Sequence, residues 1–151
     1  MLAAILERAA APIPVDVPSS NEIFVIANAV EGIEPGVYRF TPPAGFELVR
    51  AGSFRRQAGY LCLEQPLGAL AAGTIFLLAA LGPVIDTLGN RGYRAAQLEA
   101  GIRTGRIYLG ACASGFAATA STFYDDDVTR FVAAGTGKSP LLAAAVGYPA
   151  S

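Results

Sequence analysis

Residues 22–41 read EIFVIANAVEGIEPGVYRFT, and the parsing of this stretch decides the fold. Glu22 to Val30 is dense in β-branched and aromatic residues and apolar on both alternating faces, which predicts a strand in the middle of a sheet. Glu31 to Gly36 (EGIEPG) predicts a turn, because Pro35 fixes one φ and Gly36 permits values that other residues avoid. Val37 to Thr41 alternates faces, PPAG at 42–45 turns the chain again, and Phe46 to Arg50 returns as a short strand. A hairpin after a buried strand argues for an α+β domain and against a doubly wound parallel sheet.

Working outward, residues 2–11 (LAAILERAAA) predict a short helix stopped by Pro12 and Pro14, followed by a Pro-rich connector to Ser20. On the other side, Ser53 is positioned to cap a helix over Phe54 to Leu63. Pro66 to Ala72 makes a further helical turn, and Thr74 to Leu81 (TIFLLAAL) reads as a buried strand. Arg94 to Ser114 carries the clearest helical pattern. Leu98, Ile102, Gly105, Leu109, Cys112 and Phe116 recur at spacings of four and three, so they share one face. Gly105 within that face predicts close approach of another backbone, and Gly115 suits the helix end. The carboxylates Asp125, Asp126 and Asp127 start another helix that runs to about Val132, and Leu141 to Val146 closes the chain as a strand.

The 151 residues fit one domain, 1–151, that is 53% hydrophobic and only 15% charged, with a mean hydropathy of +0.45. So few charges predict that part of the exterior is covered by a partner, self-association first of all. A net charge of -1 supplies no attraction for nucleic acid. With no histidine in the chain, a Ser-His-Asp triad, a Cys-His pair and a His-ligated metal site are excluded. Cys62 and Cys112 lack disulfide-framework or metal-ligand spacing, and both read as small core residues. Glu7 and Arg8 interrupt the N-terminal apolar stretch, which predicts no signal peptide. Gln65 to Ile85 is uncharged, but Pro66, Gly68, Gly73, Gly82 and Pro83 punctuate it, so a buried soluble segment and a cytoplasmic protein without membrane association are expected.

Four motifs bear on chemistry. GTGKS at 135–139 ends like a phosphate-binding loop, yet Val132 stands where the first glycine is needed and Pro140 follows at once, so it reads as a loop before the last strand. The three adjacent aspartates diverge around a helix start and read as a cap, not a cation site. The small-residue stretch Gly110 to Ser121 (GACASGFAATAS) lets backbone approach a flat ligand, or simply packs tightly. PSSN at 18–21 is by itself a turn into a strand.

Read together, these segments resemble the SagB/ThcOx-type nitroreductase-like dehydrogenases. EIFVIANAV followed by EGIEPGVYRF looks like that family's strand and tyrosine-bearing hairpin, and Gln65 before GTIFLLAAL matches its glutamine ahead of an apolar strand. RGYRAAQLEAGIRTGRIYLGACASGF looks like its central helix, STFYDDDVTRFV its acidic helix start, and LLAAAVG its closing strand. The similarity runs in order from Pro18 to Gly147. It implies a nitroreductase-like α+β fold with a mixed or antiparallel sheet flanked by helices. It further implies FMN at a homodimer interface, NAD(P)H as a possible electron donor, and a small-molecule or peptide-derived substrate such as an azoline.

Carried onto this chain, the resemblance makes Ser19, with Ser20 beside it, a flavin-ring contact. Ala118, Thr119, Ala120 and Ser121 line the ring with backbone amides, and Arg94 or Arg103 approaches an anionic group. Against the family pattern, the arginine-rich opening is missing and PSSN lacks the usual glycine. Ile102 and Gly105 replace a histidine and a glutamine, and the tail to Ser151 offers no basic residue for a phosphate. The chain therefore reads as an N-terminally shortened domain. Either it is completed by its own copy or another chain, or it is a flavin-free scaffold or partner subunit of a biosynthetic complex.

Overall fold

The strand predicted at the head of the deciding stretch forms β1, Asn21–Ala27, and the hairpin forms β2, Gly36–Thr41, and β3, Gly45–Ala51, in a computed structural model that describes residues 1–149. Ahead of them lies α1, Leu2–Ala10. After them come α2, Arg55–Leu61; α3, Pro66–Leu70; β4, Gly73–Ala79; α4, Leu81–Leu88; and α5, Arg91–Ala113. The chain ends through β5, Ala117–Ser121; α6, Asp125–Val132; and β6, Ser139–Gly147. The six strands make one sheet in the order β3-β2-β1-β4-β6-β5, and every neighbouring pair is antiparallel.

The alternation of β1 divides the molecule into layers. Ile23 and Val25 face a core built with Leu2, Ile5, Leu6 and Ala9 of α1 and Ala96, Ala100, Ile107 and Ala111 of α5. Phe24 and Ile26 face a second core with Ala58 and Leu61 of α2 and Val128 and Val132 of α6. The sheet is thus sandwiched between helices, as expected of an α+β protein whose central strands are apolar on both faces.

The second layer depends on one close approach. A Cβ on Gly68 of α3 would stand 2.4 Å from the Ala58 carbonyl oxygen of α2, backbone that cannot move aside cheaply. The Gly68 carbonyl also accepts hydrogen bonds from Asn28 Nδ2 and Thr74 Oγ1 in the buried interior. Gly68→Ala is expected to destabilise the protein by about 1–3 kcal/mol, the usual cost of overpacking, measurable by chemical denaturation.

Several expectations are corrected. The strand at 74–81 ends at Ala79, and Leu81 opens α4, where Gly82 and Pro83 had read as punctuation. Proline in a first helical turn costs little, because the amide it lacks has no intrahelical partner there. Ser53 does not cap α2; Phe54 holds that position and no side-chain cap bond forms. The long helix begins at Arg91, and its 4-3 apolar stripe lies outward. Leu98 is 62% and Leu109 74% exposed, whereas the buried side carries Ala96, Glu99, Ala100, Arg103, Thr104, Ile107 and Ala111. Gly105 meets no other backbone within this chain. Cys62 is buried as predicted, but Cys112 is exposed on the outward face. The aspartates do open α6, and Gly135 to Lys138 lie in the loop between α6 and β6, with Ser139 opening the strand. No helix among the described residues is long and apolar enough to cross a membrane. The tail predicted to lack a phosphate contact ends at Ser151, outside the described residues.

Candidate functional site

Three of the predicted contacts meet in one place. Glu99, on the buried side of α5, accepts hydrogen bonds from Ser19 Oγ at 2.6 Å, the Ser20 amide at 2.7 Å, Ser20 Oγ at 2.9 Å and Asn21 Nδ2 at 3.2 Å. One helical turn on, Arg103 pairs with the same carboxylate at 2.9 Å, and its Nη2 also reaches Ser19 Oγ at 3.0 Å. Arg103 Nη1 donates to the Ala9 carbonyl at 2.7 Å, and Arg106 donates to the carbonyl of the C-cap residue Ala11 at 2.5 Å, so both arginines complement the C-terminal end of α1. Glu99 and Arg103 are 7% and 5% exposed. Burial pushes the Glu99 carboxyl up, but the donors from Ser19, Ser20 and Arg103 outweigh it and hold it below the ordinary carboxylate range.

Glu99 is not among the residues that the sequence singled out. Its i, i+4 relation to Arg103 was the available signal. The cluster also borders a cavity of about 240 Å³ between the Pro-rich connector and α5, lined in part by Pro12, Val15, Leu98 and Ile102.

The other predicted contacts lie apart from that cluster. Arg94 is exposed in the first turn of α5. Ala118, Thr119, Ala120 and Ser121 belong to β5, which pairs with β6 on one side and forms a free edge of the sheet on the other. The Ala120 amide donates to the Tyr108 hydroxyl of α5, which shows that this amide faces outward from the β5–β6 ladder.

These positions decide what could hold an FMN. Ser19, Ser20 and Arg103 do not fit a flavin or its phosphate, because an internal carboxylate already takes their donors. A second anion there would face Glu99 at close range. The β5 edge has room for a flat ring, since its side chains are small and three of its five residues are exposed, but its Ala120 amide is already taken by the Tyr108 hydroxyl. Among the described residues no group of His, Cys, Asp or Glu is arranged to hold a metal ion.

No family model and no curated protein matches the chain, but solved structures do. A protein of Anabaena variabilis assigned to the nitroreductases superposes with a TM-score of 0.89 at 27% identity, over 99% of this chain and 33% of its own. One from Ralstonia eutropha gives 0.76 at 21% identity, with 72% of its own chain covered. The Escherichia coli microcin synthetase McbBCD complex, solved with truncated pro-MccB17 bound, gives 0.75 at 20% identity over 63% of that chain. A further match, with a TM-score of 0.64, is an oxidoreductase containing FMN.

The six-stranded antiparallel sheet and its long helix therefore define a protein of the nitroreductase fold. The chain shares this fold with nitroreductase-family proteins, and spans about a third of the Anabaena protein and under two thirds of the synthetase chain.

Proposed function

We propose that this chain is an FMN-dependent oxidoreductase of SagB type whose flavin site is completed by a second copy of itself packed on α5. The observation that carries this reading is the outward face of that helix. Leu98 and Leu109 stand exposed there beside Cys112, and added Cβ atoms on Gly101 and Gly105 would meet nothing within 4 Å. Large apolar side chains flanking two open glycines one turn apart suit another helix laid close against them. The flavin ring would lie along the β5 edge, with Ala118 to Ser121 lining it and Arg94 available to an anionic group. The phosphate would take its donors from the partner surface, since Ser19, Ser20 and Arg103 are committed to Glu99. NAD(P)H is the electron donor in this reading, and the substrate a small electrophile or a peptide-derived azoline, in keeping with the McbBCD likeness.

A second reading, a flavin-free partner subunit, is favoured by one observation, the saturation of the Ser19–Arg103 donors by Glu99. An absorbance spectrum after incubation with excess FMN and desalting separates the two. Retained flavin bands, lost in Ala120→Trp without a change in melting temperature, are expected for the enzyme. A folded protein that leaves the column colourless overturns the oxidoreductase reading in favour of the subunit.

A further inference from the structure

We propose that a pocket on the opposite face of the sheet from α5, at its β3 end, binds a small phosphate ester. The pocket lies between the β1–β2–β3 strands and the GTGKS loop, has a volume of about 260 Å³, and is lined by Phe24, Arg39, Glu47, Arg50, Phe131 and Lys138 among others. It is rich in cations that this chain does not fully neutralise. Arg39 and Lys138 share one carboxylate, Glu22, at 2.9 and 3.1 Å. Arg50 has no carboxylate within ion-pair distance among the described residues.

The cations are also held in place. The Arg50 guanidinium carbon lies 4.7 Å from the centre of the Phe131 ring, and Lys138 Nζ lies 6.0 Å from that of Phe24. A guanidinium laid over a ring keeps its N–H edge free, and that planar fork matches two oxygens of one oxyanion. The Lys138 side chain is only 16% exposed, so its charge acts across a partly dry space where it is weakly screened. A phosphate presents enough oxygens to engage the Arg50 fork and a second cation together, which a lone carboxylate filling one fork does not. Glu47 in the wall repels a bare dianion and accepts from a hydroxyl, which favours an ester with a hydroxylated organic part over free phosphate. The volume falls just below that of sites for larger organic ligands, about 300–1,000 Å³.

This site is independent of the flavin reading and sits at the other end of the strand order from β5. Its test is an amide NMR titration of the full chain with glycerol phosphate, with glycerol and a Glu-rich peptide as separate arms. Saturable shifts centred on Arg50, Thr136 and Lys138 are expected from glycerol phosphate and not from glycerol. Arg50→Gln, which breaks no ion pair, should weaken binding at least about tenfold with an unchanged melting temperature, and Glu47→Gln should tighten it. Absence of saturation at millimolar ligand, equal affinity in Arg50→Gln, or saturation by the acidic peptide alone would overturn the proposal.

Discussion

Glu99→Ala is expected to lower folding stability by about 3–5 kcal/mol, because it strands the buried Arg103 guanidinium and removes the acceptor for Ser19, Ser20 and Asn21. The cost comes from an uncompensated charge more than from the lost attraction, so the pair should behave unlike its single variants. Glu99→Leu combined with Arg103→Met, of similar shape and without charge, should recover much of the loss. The wild type should also carry an acid-labile component. The folded-state carboxyl is held below its unfolded value, so its stabilisation is complete above the ordinary carboxylate pKa and is lost as pH falls through the folded one. Denaturation measured against pH checks both points: this component should be absent from the double variant. If Glu99→Ala melted like the wild type, the cluster would not be the structural clamp described.

The second large effect concerns α5. The wild type should be a dimer by light scattering, and Leu109→Glu should convert it to a folded monomer, raising the dissociation constant at least about a hundredfold. Leu109 is 74% exposed in the single chain, so a glutamate there should cost the isolated fold almost nothing. Circular dichroism identical to the wild type, together with halved mass, is the expected result. A monomeric wild type, or a dimer that tolerates Leu109→Glu, would remove the basis for a flavin site shared between copies.

How far the sequence went differs between elements for physical reasons. The β1 strand, the β2–β3 hairpin and the aspartate start of α6 were legible because local pattern and turn chemistry determine them. The orientation of α5 was not. Large apolar residues mark a helical face, but here α1 packs so closely that the inner side takes alanines and Gly110, whose added Cβ would lie 3.3 Å from Ile5. The bulky stripe is left outside, where periodicity alone cannot tell a core from an interface. For the site, Ser19, Ser20 and Arg103 were singled out and do come together, but around an internal carboxylate. Glu99 meets Ser19 across 80 residues of chain, and nothing local to PSSN announces it.

That separation also sets an order of events during synthesis. Leaving the ribosome at roughly 5–20 residues per second, Ser19 emerges some 4–16 s before Glu99. Meanwhile the β2–β3 hairpin can close within about 10 µs of its own emergence. The connector from Ala11 to Ser20 must therefore wait, unanchored, while the first half of the sheet is already competent to pair. A nascent chain arrested before Glu99 should leave Pro12 to Pro18 open to proteases, and one extended past Arg106 should protect them, making protease resistance of the connector a clock for the arrival of α5.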